Sequence, residues 1–350
     1  MVEKRPIGDS GIAITPLALG GNVFDWTADE AASFAVLDAF VDAGGMMIDT
    51  ADVYSAWAPG HKGGESEALI GRWLKRDPTK RDKILIATKV GFMAGLAPDT
   101  IAPSCEASLQ RLGIDTIDLY YQHKDDESVP LAESLAAFDR LVAEGKIREI
   151  GLSQFTAPRL NEAMETVAVN ELHKPCCLQT WYNLVEREKL EGELRDAALA
   201  NGLGIFPFYS LANGFLTGKY RNKNDLDKSP RGLRNVAYIE GRGPRVLEAL
   251  DAISGETGKS LATVALAWTM AQPGITAALA SATSLEQVSE LTDAMHLKLT
   301  PDQLSRLDSA SAKLEPGRTN LEAVRPLRGG ARVGPLHRHP GGGCATQTQR

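Results

Sequence analysis

Short apolar runs alternate with amphipathic stretches along most of the chain. Eight of the runs are rich in β-branched or aliphatic residues and are predicted strands, at 15–20, 45–50, 83–89, 116–123, 147–153, 176–181, 203–209 and 276–282. None shows the in/out alternation of a half-exposed sheet, which is typical of strands covered on both faces. Apolar residues at helical spacing predict helices at 29–44, 66–76, 104–113, 131–146, 157–172, 188–201, 257–272 and 284–295.

Eight strand-then-helix units predict an α/β fold in which a parallel sheet closes into a (β/α)8 TIM barrel. The alternative is an open doubly wound sheet, which the absence of a GxGxxG motif after the first strand disfavours. Three additions are predicted: an N-terminal β-hairpin cap at 5–15, a lid or substrate loop at 212–243, and a C-terminal docking helix at 299–313. The predicted domain covers 1–325, and the Gly-, Pro- and Arg-rich segment 326–350 is predicted to be a disordered tail.

The charge, hydropathy and cysteine content of the chain argue against several classes of protein. The net charge of −7 is spread over both signs and gives no support for nucleic-acid binding. No apolar run approaches the length of a membrane span, and the N-terminus lacks a signal-peptide core, so we expect a cytoplasmic protein. Four cysteines, Cys105, Cys176, Cys177 and Cys344, have neither zinc spacing nor the density of a disulfide framework.

Polar residues close most of the predicted strands. They are Asp49, Lys89, His123, Ser153 with Gln154, Gln179 and Ser281. Taken singly, each has an ordinary explanation as a helix cap, a solvated charge or a hydrogen-bonded core residue. In a barrel of parallel strands, however, all carboxyl ends lie on one face, where active sites are built. The sequence therefore predicts that these side chains converge there.

The chemistry of a carboxylate, phenol, amine and imidazole together is specific. Tyr54 follows Asp49 by five residues, and its phenol is a poor acid near neutrality, with an ordinary pKa of about 10. We expect a buried ammonium from Lys89 to lower that pKa, and Asp49 to hold the ammonium in place. His123 is expected to orient a carbonyl oxygen. This combination suits carbonyl reduction with Tyr54 as general acid/base.

The sequence resembles the aldo-keto reductase superfamily over residues 3–315. The matching stretches are IDTADVYS, GESEALIG, IATKV, DLYYQH, IGLSQF, QTWYNLVER and FLTGKYR, in the family's order. The loop AWAPGHKGGES is similar to that of larger members with sugar-like or bulky ketone substrates, and of potassium-channel β-subunit relatives. The resemblance implies a catalytic tetrad of Asp49, Tyr54, Lys89 and His123, a barrel fold, and NADPH or less often NADH as hydride donor.

The resemblance also implies the cofactor and substrate contacts. Those for the cofactor are Gly20, Gly21, Ser153, Gln154, Gln179, Phe208, Tyr209, Ser210, Leu211, Asn213, Lys219, Ser281, Thr283, Ser284 and Gln287. Gln154 stands where the family has Asn, and Phe208 where the ring that stacks on nicotinamide is found. Trp26, Trp57 and Phe92 are candidate walls of the substrate pocket. No metal site is predicted, since His337, His339 and Cys344 lie in a Gly-rich segment.

The residues expected at the adenosine end of the cofactor bear on the choice between NADPH and NADH. Members that prefer NADPH usually carry Lys or Arg after the last barrel strand, whereas 280–292 contains no basic residue and includes Glu286 and Glu290. A charge-assisted contact to phosphate contributes about 1.5–3 kcal/mol. NADP remains the expectation from the family, with NAD as the alternative.

Two other classes of protein compete with the enzyme. A cofactor-binding redox sensor on the same fold would bind the dinucleotide tightly but turn over weakly, and the complete tetrad argues against it. A metal-dependent barrel hydrolase needs several His and Asp ligands at strand ends, and only His123 of the six histidines is so placed. The expected partner is a small-molecule carbonyl or alcohol.

Overall fold

The chain folds into a barrel of eight parallel strands surrounded by helices, as the hydrophobic pattern predicted. The structure is a computed structural model and describes residues 2–313; the predicted tail and the end of the predicted domain lie outside these residues. The barrel strands are β3 (Leu17–Gly20), β4 (Met47–Asp49), β5 (Leu85–Val90), β6 (Ile117–Gln122), β7 (Ile147–Ser153), β8 (Cys177–Trp181), β9 (Gly204–Phe208) and β10 (Ala278–Ala280). A hairpin of β1 (Arg5–Pro6) and β2 (Ala13–Ile14) precedes them.

Helices follow the strands and cover the outside of the barrel. They are α1 (Glu30–Asp42), α2 (Glu65–Arg76), α3 (Pro98–Leu112), α4 (Leu131–Ala143), α5 (Ala157–Val169), α6 (Glu193–Ala200), α7 (Val236–Glu240), α8 (Gly243–Thr257), α9 (Leu261–Met270), α10 (Leu285–Asp293) and α11 (Pro301–Ser311). Among residues 2–313, no helix has the length and apolar character needed to cross a bilayer.

The sheet runs β10-β3-β4-β5-β6-β7-β8-β9, with every neighbouring pair parallel. Closure comes from two backbone hydrogen bonds next to β9, from Ile205 N to Gly274 O at 3.1 Å and from Thr276 N to Ile205 O at 2.9 Å. Ile7 and Ile14 of the hairpin pack with inward-facing Met47 and Phe206. The hairpin therefore plugs the end of the barrel at which the strands begin, and the opposite end remains available for a site.

Several helical regions differ from the prediction. Helix α3 begins at Pro98, six residues earlier than predicted, because Pro103 is accommodated inside the helix. The segment 243–257, for which no helix was predicted, forms α8 with Val246, Leu247, Leu250 and Ile253 buried on one face. The predicted connection at 212–243 folds into three 3-10 segments and the short helix α7.

Close packing of α2 on α3 depends on a glycine. A Cβ added at Gly71 would lie 2.2 Å from the backbone oxygen of Arg111, whereas a Cβ at Gly255 in α8 would meet no atom within 4 Å. We expect Gly71→Ala to lower the free energy of unfolding by about 1–3 kcal/mol, because backbone must shift. Gly255→Ala, the matched control, should raise it by up to about 1 kcal/mol through helix propensity. Urea unfolding of both variants tests the pair, and equal shifts would contradict the packing argument.

Candidate active site

The carboxyl ends of β4, β5 and β6 bring the predicted tetrad together. In a strand, alternate side chains point to the same face, so Asp49 faces the barrel interior, as does Met47 two residues before it. Asp49 and Lys89 are fully buried and His123 nearly so. Tyr54 reaches the same place from the loop after β4, in a turn closed by the bond from Tyr54 N to Ala51 O at 3.1 Å.

The ammonium of Lys89 is the centre of the site. It donates to Asp49 Oδ2 at 2.6 Å, to the Thr50 carbonyl at 2.7 Å and to the Tyr54 hydroxyl at 3.0 Å. The other Asp49 oxygen accepts from Gln179 Nε2 at 2.9 Å. All three protons of the amine therefore have acceptors, so the amine is held in one position beside the phenol.

Burial dominates the acid–base properties of the tetrad. It raises the pKa of Tyr54 well above the usual value, and the nearby charge of Asp49 raises it further. The pKa of Lys89 is lowered by burial, against the opposing effect of Asp49. The predicted lowering of the phenol pKa by the ammonium is therefore wrong for this structure. The physical reason is that desolvation of the phenol, together with the negative charge of Asp49, outweighs the effect of the hydrogen bond from Lys89.

His123 lies opposite Tyr54. Their ring centroids are 6.0 Å apart, and Nδ1 of His123 is buried without a hydrogen-bond partner. Burial, together with the charges of Lys89 and Lys124, lowers the pKa of His123 well below its usual value. A neutral imidazole carries one N–H donor, so it can orient a polar atom beside the phenol without itself losing or gaining charge.

Comparison with known proteins fits this geometry. The model of the aldo/keto reductase family matches residues 16–312, most of the chain. This chain belongs to the aldo/keto reductase family. It is 32% identical over 318 residues to an uncharacterized oxidoreductase, YrpG, of Bacillus subtilis (strain 168), covering 88% of this chain and 95% of that protein.

Two further relatives of this aldo/keto reductase carry different names. A probable voltage-gated potassium channel subunit beta of Oryza sativa subsp. japonica is 29% identical over 333 residues, covering 91% of this chain and 99% of the relative. An L-glyceraldehyde 3-phosphate reductase of Escherichia coli O157:H7 is 28% identical over 326 residues, covering 88% and 92%. The family and its oxidoreductase relatives support a carbonyl-reducing oxidoreductase.

The residues implied as nicotinamide contacts differ in the hydrogen bonds that their side chains make. The Ser153 hydroxyl is buried and has no hydrogen-bond partner. Gln179 uses its amide nitrogen on Asp49. Gln154 is exposed, has a left-handed backbone with φ of 57°, and donates from Nε2 to the His123 carbonyl at 3.0 Å. The longer Gln side chain thus braces His123, whereas Ser153 keeps a free hydroxyl.

The loop after β9 is conformationally unusual. Tyr209, Ala212 and Asn213 all have positive φ, between 47° and 55°. The turn is held by Asn183, whose Nδ2 donates to the Tyr209 carbonyl at 3.0 Å, and by Ser210, whose hydroxyl donates to the Pro207 carbonyl at 3.0 Å. Non-glycine residues in this region cost about 1–3 kcal/mol each and cluster at ligand-binding segments.

The rest of the implied phosphate and nicotinamide contacts lie along the same loop. Leu211 accepts from Gly214 N at 2.9 Å, and Lys219 places its ammonium 5.2 Å from the Tyr220 ring centroid. Phe208 and Tyr209 both pack on Trp181, with ring centroids 5.7 and 4.4 Å away. Sequence reasoning missed Trp181, although it ends β8 just as the other candidates end their strands.

The first turn of α10 carries the implied adenosine contacts. Ser284 caps the helix by accepting from Gln287 N at 3.3 Å, and Gln287 Oε1 accepts from Thr283 N at 2.8 Å. Ser281 donates to Asn22 Oδ1 at 2.5 Å. Packing alone explains glycine at the two implied backbone contacts. A Cβ at Gly20 would lie 2.7 Å from Ser281 Oγ, and a Cβ at Gly21 would lie 2.8 Å from Ser66 Oγ.

The aromatic residues predicted as walls of a substrate pocket lie beside the tetrad, and their contact with a substrate stays a prediction. The Trp57 ring lies 5.9 Å from Tyr54 and 5.6 Å from Trp26, and Phe92 lies 4.9 Å from His123. The segment 212–243 adds Arg231, whose guanidinium lies 5.4 Å from the Trp26 ring centroid. No motif singled out Arg231, because only the folding of this segment over the cleft brings it there.

Other features of the described part of the chain do not compete with this site. A cavity of about 1500 Å³ lies at the opposite end of the barrel, and none of the tetrad lines it. Within residues 2–313 there is no group of three His, Cys, Asp or Glu side chains placed to hold a metal ion.

Proposed function

We propose that this protein is an NAD(P)-dependent oxidoreductase that reversibly reduces an aldehyde or ketone to an alcohol, with Tyr54 as general acid/base. The observation that carries the proposal is the position of the Lys89 ammonium, within hydrogen-bond distance of Asp49, the Thr50 carbonyl and the Tyr54 hydroxyl in a dry site. A bound dinucleotide would supply the hydride.

The chain's own residues would handle the proton. Tyr54 stays protonated over the working pH range because burial raises its pKa, so its hydroxyl is ready to donate to the carbonyl oxygen in the direction of reduction. The resulting phenolate would be stabilised by the hydrogen bond from Lys89. His123 would orient the same oxygen through its neutral ring. Trp26, Trp57 and Phe92 would form apolar walls beside the reacting centre.

The residues present suit a nicotinamide dinucleotide. Ser153 offers a buried hydroxyl without a partner, and the loop after β9 has left-handed backbone at Tyr209 and Asn213, a conformation that recurs where backbone binds anions. The first turn of α10, with capping residues Ser284 and Gln287, would meet the adenosine end. We propose NADP as the cofactor, from the family, with NAD as the alternative because 280–292 lacks a cation.

Turnover is measured by the consumption of NADPH and NADH, separately, with a panel of aldehydes, ketones and sugars. The panel includes glyceraldehyde 3-phosphate, because relatives are named as reductases of its L-form. We expect reduction of at least one bulky or sugar-like carbonyl. Complete inactivity over the whole panel, with intact fold and bound cofactor, would overturn the enzyme proposal.

The second candidate function is a cofactor-binding redox sensor with weak turnover. It is favoured by relatives named as probable potassium channel β subunits in Oryza sativa and Arabidopsis thaliana. The sensor predicts submicromolar binding of dinucleotide together with an inert carbonyl panel. The enzyme predicts turnover at cofactor concentrations that saturate binding.

A cation placed at the start of α10 should strengthen the preference for NADPH. We expect Gln287→Arg to raise the ratio of kcat/KM for NADPH to that for NADH by about tenfold or more, since one charge-assisted contact to a phosphate contributes about 1.5–3 kcal/mol. Gln287→Met, which has similar length and no charge, is the control and should leave the ratio within about twofold. An unchanged ratio in the Arg variant would place the 2′ position of the cofactor away from α10.

A further inference from the structure

Tyr54 lies where two consecutive backbone turns of the loop after β4 meet. The first turn is closed by the bond from Tyr54 N to Ala51 O at 3.1 Å, and the second by the bond from Ala58 N to Ser55 O at 2.9 Å. Ser55, the residue directly after the phenol, has a φ of 74°. A residue with a Cβ rarely adopts this left-handed conformation, because the Cβ crowds the backbone. The backbone that carries Tyr54 is therefore strained on its C-terminal side.

The side chain of Ser55 is bonded to a different segment of the chain. Ser55 is fully buried, and its hydroxyl donates to the Phe24 carbonyl at 2.8 Å. Phe24 is also fully buried and belongs to the loop after β3, 31 positions earlier. A buried hydroxyl is costly to leave without a partner. The bond therefore opposes any backbone rotation that would take Ser55 out of the left-handed region.

The loop after β3 is a firm anchor, because it is bonded to β4 and to α2. Gly21 N donates to the Asp49 carbonyl at 2.7 Å, and the Ser66 hydroxyl donates to the Gly21 carbonyl at 2.8 Å. Phe24 N donates to the same Gly21 carbonyl at 3.1 Å. The acceptor of the Ser55 bond is thus held in place relative to Asp49 of the tetrad.

The distance between the phenol and the amine depends on this backbone. The Lys89 ammonium donates to the Tyr54 hydroxyl at 3.0 Å. The same ammonium is held by Asp49 Oδ2 at 2.6 Å and by the Thr50 carbonyl at 2.7 Å. A rotation at Ser55 would therefore move the phenol while the amine stays where it is. A displacement of about 1 Å in an active site can lower the rate by about 10²-fold.

We infer that Ser55 is a positioning residue of the active site: the bond from its buried hydroxyl to the Phe24 carbonyl maintains the left-handed backbone at Ser55 and thereby holds the phenol of Tyr54 beside Lys89. This inference rests on the proposed function. Ser55 acts through Tyr54, and the hydroxyl of Ser55 compensates for the strain that its own Cβ introduces.

Alanine and glycine at position 55 separate the hydrogen bond from the strain. Ser55→Ala removes the bond but keeps the Cβ, so the backbone should relax out of the left-handed region. The value of kcat should then fall by about 10- to 100-fold, because the phenol is misplaced. Ser55→Gly also removes the bond, but glycine adopts a positive φ without strain, so kcat should stay within about threefold of the parent.

A matched control distinguishes positioning from a general loss of stability. Ser134 lies in α4, is likewise buried, and its hydroxyl donates to the Leu131 carbonyl at 3.2 Å. Ser134→Ala should lower Tm without changing kcat. In both Ser55 variants the Kd for the dinucleotide should stay within about threefold of the parent, because the expected loss is in the chemical step and not in ground-state binding.

The experiment measures kcat at saturating cofactor for the parent and the three variants, with the carbonyl that the parent reduces fastest. The inference is overturned if Ser55→Ala keeps the kcat of the parent, or if Ser55→Gly loses as much as Ser55→Ala. Should Ser55→Ala fail to fold, Ser55→Cys takes its place, because it keeps the Cβ and offers only a weak S–H donor. It should show a smaller loss in the same direction.

Crystal structures of the Ser55 variants provide a readout that does not depend on turnover. The distance from Lys89 Nζ to the Tyr54 hydroxyl is 3.0 Å in the parent. It should exceed about 3.5 Å in Ser55→Ala, beyond hydrogen-bond range, and remain close to the parent's in Ser55→Gly. An unchanged distance in Ser55→Ala would overturn the inference. A lengthened distance in a protein that reduces no carbonyl would support the positioning role and count against the proposed function alone.

Discussion

Replacing Tyr54 by phenylalanine is expected to lower turnover by about 10³-fold or more while dinucleotide binding stays within a few-fold of the parent. The phenol is the group beside Lys89 that can both donate and accept a proton, and general acid–base catalysis typically contributes about 10²–10⁴-fold. The aromatic ring and its contact with Trp57 are preserved in the variant, so the walls of the cleft should not change.

Tyr182→Phe is the matched control. Tyr182 is a buried phenol that bonds to Glu191 and packs against Trp268 on another side of the barrel. Loss of its hydroxyl should lower the free energy of unfolding by about 1–3 kcal/mol, because the buried hydrogen bond to Glu191 is lost, and kcat should not change. Steady-state kinetics and fluorescence titration with cofactor separate the two variants. A Tyr54→Phe protein with more than a tenth of the parent's kcat would remove Tyr54 from the chemistry.

Replacing Lys89 by methionine should abolish turnover to a similar degree and also destabilise the protein. The turnover loss follows because the phenolate loses its only charged hydrogen-bond donor among the described contacts. The stability loss, about 3–5 kcal/mol, follows because the fully buried Asp49 carboxylate is left without a cation. Circular dichroism should show that the barrel remains folded, with a lower Tm.

A double variant separates the two effects. Asp49→Asn combined with Lys89→Met removes both buried charges, and we expect it to recover part of the lost stability without recovering turnover. Chemical denaturation gives the stabilities, and the cofactor oxidation assay gives the rates. If the single Lys89→Met variant turned over at a near-normal rate, the role given to the ammonium would have to be abandoned.

The order of apolar and amphipathic segments predicted most of the architecture. The eight strands appear where they were predicted, because most of their residues are buried and apolar, although Arg148 near the start of β7 is exposed. Helix α8 was missed even though Val246, Leu247, Leu250 and Ile253 carry a helical pattern. Gly243, Pro244 and Gly255 lower local helix propensity, and packing in the tertiary structure outweighs it.

The convergence of Asp49, Tyr54, Lys89 and His123 was also predicted, because parallel strands bring their carboxyl ends to one face. The direction of the phenol's pKa shift was not. It depends on how completely the phenol is desolvated and on the nearby charge of Asp49, and neither is encoded at any single position. The use of the Gln154 amide on the His123 carbonyl has the same origin, in contacts between distant segments.

Read alone, the chain's residues specify a closed barrel and place four reactive groups at one end of it, because strand order and side-chain alternation are local properties. Folding decides what those groups meet. Asp52 lies in the stretch IDTADVYS, which also contains Asp49 and Tyr54. Nothing in that stretch distinguishes Asp52 from an ordinary loop carboxylate. Burial and the charge of Glu67, which lies on helix α2, raise the pKa of Asp52 to about 7, because desolvation and charge–charge interactions act through space.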